Sequence, residues 1–130
     1  MDFRAEHLGL AAMDPFALKD WYMRVLGASV VAELSQSPPA WLLELPGGFW
    51  IEIYSADSPG ARGNRVSGWR HLALRVQNIE AAQARLKQAG VEFPEPIKPA
   101  GGAGQILFFS DPEGNLLHLV ERPDGWPRKR

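Results

Sequence analysis

Two short stretches of the chain occur twice. HLGL at residues 7–10 returns as HLAL at residues 71–74, 64 positions later. GFWIEI at 48–53 returns as GNLLHL at 114–119, 66 positions later. A difference of two residues is what loops between strands absorb. An internal duplication constrains the fold more than any single motif, because each half must then be the same supersecondary unit.

The halves have the same plan. HLGLAAM reads as a strand. Asp14 then serves as a helix N-cap, with Pro15 in the first turn. Leu18, Trp21, Tyr22 and Val25 recur at helical spacing, and Gly27 suits a left-handed stop. Strands are expected at ASVVAEL, AWLLEL and FWIEIYS. The stretch PGARGNRVSG has linker composition. In the second half RHLALRV reads as a strand. Asn78 caps a helix with Ile79, Ala82 and Leu86 on one stripe, and Gly90 lies past its end. GVEF is expected as a strand, PEPIKPAGGAGQ as a loop, and ILFFS and NLLHLVE as strands around the turn DPEG. Each half is a βαβββ module, the first over residues 1–57 and the second over 68–122. Together they form a single α+β domain over 1–130, a length that can bury a sizeable core.

Composition removes several function classes. Lys+Arg is 14 and Asp+Glu is 15, so no basic field suggests nucleic acid. There is no cysteine, which excludes disulfides, thiolate metal sites and cysteine nucleophiles. No apolar run approaches a membrane span, and the N-terminus lacks a signal-peptide layout, so a cytoplasmic protein is expected. The terminal PRKR reads as a solvated basic tail rather than a lid. No phosphate loop or nucleophile elbow is present.

Strand alternation places the polar residues. His7 falls opposite Leu8 and Leu10, and His71 opposite Leu72 and Leu74. Glu52 falls opposite Ile51 and Ile53, and His118 opposite Leu117 and Leu119. Glu121 has the wrong parity and is excluded as a ligand. The chain's three histidines and one glutamate thus hold equivalent places in a duplicated plan. If the halves pair about a pseudo-twofold axis, the four side chains converge. Imidazole and carboxylate suit a divalent Zn, Ni, Fe, Co or Mn ion. Taken singly, a strand histidine is more often a hydrogen-bonded core or rim residue, and Glu52 has a bland alternative in a salt bridge to Arg75 or Arg65. The matched placement of all four favours metal.

The motifs HLGL, WYMRVLGA, WIEI, HLAL and DPEGNLLHL resemble the vicinal oxygen chelate superfamily. That superfamily includes glyoxalase I, extradiol dioxygenases, methylmalonyl-CoA epimerase and the fosfomycin and bleomycin resistance proteins. The resemblance implies two paired βαβββ modules forming a half-open mixed β-barrel around a metal, usually in a homodimer. It also implies His7, Glu52, His71 and His118 as the ligands. Two departures matter. The last ligand position looks like glutamate in glyoxalase I and the dioxygenases, but is His118 here. Bacterial-type glyoxalase I carries an arginine where this chain has Ala11, and YSADSPG lacks the asparagine expected after the glutamate. Glutathione recognition is therefore not expected.

The activity implied by the resemblance is that of a metal-dependent lyase or isomerase acting on a small oxygenated molecule, with Glu52 as general base. One alternative is a non-haem iron dioxygenase using His7, His71 and Glu52, although His118 would then fill a position that oxygen or substrate needs. Another is a bleomycin-resistance-type binding protein with aromatic walls. The chain has five tryptophans, of which Trp50 and Trp69 are placed on the faces of Glu52 and His71. More often such aromatics are core or interface residues. Arg75 shares the parity of His71 and suits an anionic substrate group, with a rim salt bridge as its bland alternative. Arg65 and Arg70 are weaker candidates. Small-molecule substrate, no nucleic acid, no membrane and a homodimer complete the expectation.

Overall fold

The computed structural model describes residues 2–128, so the last two residues of the basic tail lie outside the described residues. The described chain divides into two compact units, one up to Gly60 and one from Ala61 onward.

The first unit contains β1 (Leu8–Ala12), α1 (Pro15–Leu26), β2 (Ser29–Leu34), β3 (Ala40–Leu45) and β4 (Phe49–Ser55). Its sheet order is β1-β4-β3-β2. β1 runs parallel to β4, and the remaining pairs are antiparallel. The Asp14 side chain accepts from the Ala17 N–H, and Gly27 adopts φ 73° after the last turn. Both ends of α1 are therefore satisfied by the residues the sequence offers. Leu18, Trp21, Tyr22 and Val25 are buried, as are Leu43, Ile51 and Ile53 on the sheet. Burying each of these aliphatic side chains contributes about 1.5–3 kcal/mol relative to leaving it in water. This burial commits the opposite face of β4, with Trp50, Glu52 and Tyr54, to the side away from the core; all three are half-buried.

The second unit contains β5 (His71–Arg75), α2 (Ile79–Gln88), β6 (Lys98–Pro99), β7 (Gln105–Ser110) and β8 (Leu116–Glu121). Its order, β5-β8-β7-β6, reproduces that of the first unit, with β5 parallel to β8. Asn78 caps α2 by accepting from the Ala81 N–H. Ile79, Leu86, Leu107, Phe109, Leu117 and Leu119 form the core.

One expected strand is displaced. GVEF is not a strand; Val91 is buried and Phe93 packs edge-on against Phe109 at 5.8 Å, but the segment joins no ladder. The fourth strand is instead the two-residue β6, inside the stretch expected to be loop. Pro94, Pro96 and Pro99 explain its brevity, since proline cannot donate to a ladder.

The DPEGN turn has a structural cause. Asp111 is 4% exposed, and its Oδ1 accepts from the Glu113 and Asn115 N–H groups at 2.9 and 3.0 Å. Its Oδ2 accepts from the Asn115 side-chain amide at 2.8 Å. These bonds set where β8 begins, and hence where His118 points. No helix among the described residues is long and apolar enough to cross a membrane.

Candidate metal centre

Each unit brings two of the four candidate ligands together. In the first, β1 and β4 pair with Gly9 opposite Glu52, which sets His7 and Glu52 side by side on the face away from the core. His7 Nε2 lies 3.6 Å from Glu52 Oε1, with the two side chains 35% and 24% exposed. That is too long for a hydrogen bond. The other ring nitrogen, Nδ1, lies 3.0 Å from Glu6 Oε1. A carboxylate only accepts, so Nδ1 carries the proton and donates. In neutral His7 the Nε2 lone pair then faces a second carboxylate. A cation placed between them would be held by both acceptors.

In the second unit the rings of His71 and His118 are 4.8 Å apart, tilted by 46°. His118 Nδ1 is 3.1 Å from the Leu119 carbonyl, and His71 Nδ1 is 2.8 Å from Asn64 Oδ1. Both partners accept, so in each ring Nδ1 donates and Nε2 is left with its lone pair. Phe108 of β7, in register with His118, packs edge-on against both rings at 5.0 and 6.1 Å. His118 is buried, and its pKa lies below the ordinary 6.5, chiefly because burial desolvates the imidazolium. The Leu119 hydrogen bond opposes this, while the charges of His71 and Arg122 add to it. The neutral, metal-binding form is thereby favoured.

The three histidines thus share one arrangement: Nδ1 is tied to an acceptor of its own unit and Nε2 is free. Metal-ligating histidines are oriented in this way. Imidazole nitrogens and a carboxylate such as that of Glu52 are donors of the kind that borderline divalent ions take. Among the described residues, no three or more His, Cys, Asp or Glu side chains are gathered into a group placed to hold a metal.

Other sequence candidates are placed as follows. Arg75 is exposed, and its guanidinium donates to the Trp126 carbonyl in two long bonds of 3.4 Å. The Trp50 indole donates to Glu44 Oε1 at 2.8 Å. Trp69 precedes β5 rather than lying in it, so strand parity does not govern it, and it is 86% exposed. Glu121 Oε2 accepts from the Ile79 N–H at the start of α2, on the helix side of the sheet. Asn64 and Phe108 escaped the sequence reading. Asn64 sits in linker composition, and the face taken by Phe108 needs the β7–β8 register. The alternation of Ile106 and Phe108 with Leu107 and Phe109 was the one available signal.

Two modules of identical strand order define a glyoxalase-type fold. The profile of the glyoxalase/bleomycin resistance protein/dioxygenase superfamily matches residues 4–119, and the chain belongs to that superfamily. It is similar to the uncharacterized protein YaeR of Escherichia coli, 31% identical over 92% of this chain and 96% of the relative. It is also similar to a probable lactoylglutathione lyase of Vibrio cholerae, 26% identical over 78% of each chain. Among solved structures it resembles a glutamate-to-glutamine variant of the fosfomycin resistance protein FosX of Listeria monocytogenes, in complex with Mn(II) and 1S,2S-dihydroxypropylphosphonic acid. The TM-score is 0.73 at 22% identity, over 96% of this chain and 94% of that one.

Proposed function

We propose that the chain is a metal-dependent lyase or isomerase acting on a small oxygenated molecule. His7, Glu52, His71 and His118 serve one divalent ion, and the active protein is a homodimer. The observation that carries this reading is the common histidine arrangement, with every Nδ1 tied down and every Nε2 presented. The Mn(II) in the FosX structure and the lyase among the relatives support the class of ion and of reaction.

A divalent ion held by these residues would polarise a substrate oxygen as a Lewis acid. Glu52 is the only carboxylate among the four, and it is the general base: a carboxylate oxygen takes a proton from substrate carbon and returns it. Half-burial leaves that oxygen reachable. His71 and His118 are held in orientation by Asn64 and Leu119, and Phe108 keeps one side of both rings dry. Arg75 keeps unused donors and faces the same side as His71, so it is the group for an anionic part of the substrate. Trp50, fixed by Glu44, is a pocket candidate. Ala11 in place of the glyoxalase I arginine argues for a substrate other than a glutathione adduct.

Elemental analysis of the dialysed, untagged protein by plasma mass spectrometry tests this reading, with ultracentrifugation to measure the dimer. Near-stoichiometric divalent metal is expected. A protein that stays metal-free after reloading would move the function to a binding role.

A further inference from the structure

Tyr54 lies on the same face of β4 as Glu52, one step along in strand alternation. In the β1–β4 register Glu52 is opposite Gly9 and Tyr54 is opposite Ala11. Yet the Tyr54 ring does not stay over Ala11. It leans back over Gly9: a Cβ built there would meet Tyr54 Cε1 at 3.2 Å and the hydroxyl oxygen at 3.4 Å. The phenol tip is thus drawn toward the register position of Glu52, and Gly9 directly follows Leu8 and His7 in the chain. Among the described residues the hydroxyl makes no hydrogen bond, although Tyr54 is half-buried. A phenol with an apolar body and a polar tip usually finds a partner when drawn out of water. Here the tip is kept over Gly9, the register partner of the only carboxylate of the proposed ligand set, and no described protein group uses it.

We propose that the Tyr54 hydroxyl is the hydrogen-bond donor to a substrate oxygen bound at the His7–Glu52 pair, and that Gly9 is there because any side chain would displace it. The proposal rests on the metal reading above and adds a residue to it. The family resemblance implies a second carboxylate where this chain has His118, so Glu52 is the sole carboxylate of the proposed ligand set. Tyr54 supplies a donor from the first unit. A donor aimed at an oxygen that gains negative charge acts without covalent change: the O–H stays on the phenol and no other reactant is needed.

The test is a calorimetric titration of Mn(II)-reconstituted protein with acetohydroxamate, an anionic two-oxygen chelator, alongside the Mn(II) affinity of each variant. Tyr54→Phe keeps the ring against Gly9 and removes only the hydroxyl. It should leave Mn(II) affinity unchanged and weaken acetohydroxamate roughly ten- to hundredfold, the value of a hydrogen bond to a charged oxygen. Gly9→Ala should weaken acetohydroxamate by a smaller factor, again with Mn(II) affinity retained. Equal acetohydroxamate affinity in wild type and Tyr54→Phe would overturn the donor role while leaving the metal site standing. Weakening in Tyr54→Phe but none in Gly9→Ala would overturn the role given to Gly9. A wild-type protein that fails to bind Mn(II) would remove both readings together.

Discussion

The two units share a strand order and a register but not a chemistry. On the face away from its core, the first carries His7, Glu44, Trp50, Glu52 and Tyr54, with no lysine or arginine on its strands. The matching face of the second carries His71, Arg75, Lys98, Phe108 and His118, and its one strand carboxylate, Glu121, lies on the helix side. Lys98 spans Glu95, 3.2 Å away in the preceding loop, and the Phe108 ring at 4.9 Å. The two units therefore share a strand order while their outward faces differ in charge. On the proposed function, the first unit handles the proton and the second offers positive charge and two oriented imidazoles. The unequal fourth strands show the same divergence. β2 has six residues and β6 two, because prolines crowd the second. The packed face cannot vary in this way, since every change there is read directly as lost burial.

The packed faces should therefore respond alike. Ile53→Ala and Leu119→Ala alter positions 66 apart, at 0% and 3% exposure. Each should cost about 2–5 kcal/mol in urea unfolding. A cost confined to one of them would break the equivalence of the two cores.

Asp111 is the next largest lever. Asp111→Ala removes at least three hydrogen bonds and leaves two backbone N–H groups to find new partners. It should destabilise by about 2 kcal/mol and loosen β8, read as faster amide exchange there than in β4. Uniform exchange across both strands would show that the turn does not set the strand.

Much of this architecture was legible in the sequence, for identifiable reasons. The bounds of β3 and β4 follow from alternation between clear turn residues. Both helix starts follow from Asp14 and Asn78. The exclusion of Glu121 followed from parity, and the structure gives that residue a task at the N-terminus of α2. The displaced strand was not legible. GVEF has strand composition but packs Val91 and Phe93 as coil, while Lys98 and Pro99 pair from a segment that reads as loop. Nor was Asn64, because a linker asparagine reveals its partner only after folding. The lean of Tyr54 over Gly9 depends on a rotamer, which no periodicity encodes.

Asn64 sharpens the comparison within the candidate site, since it orients His71 by a side chain whereas a backbone carbonyl orients His118. Asn64→Ala should lower metal affinity about tenfold, the low end for such a supporting group, and leave the fold intact. Isothermal titration with Mn(II) measures it, and unchanged affinity would detach the linker from the site.

The smallest expected effect is on pH. The folded pKa of His118 lies below that of the unfolded chain, so the unfolded state binds more protons in the interval between them. The stability of the metal-free protein should be full above about pH 6.5. It should decline as pH falls through that interval toward the folded pKa. His118→Gln should flatten this slope relative to the wild type. Chemical unfolding across pH values either side of the ordinary imidazole range measures both.

The central claim of the proposed function is that His7, Glu52, His71 and His118 are ligands of a single ion. Metal stoichiometry in His7→Ala and His71→Ala, by plasma mass spectrometry after reloading with Mn(II), tests it most directly. One ion per chain in wild type and near-complete loss in both variants is the predicted result. Loss of only half the metal in each variant, or retention in either, would mean that the units bind independently and would contradict the account.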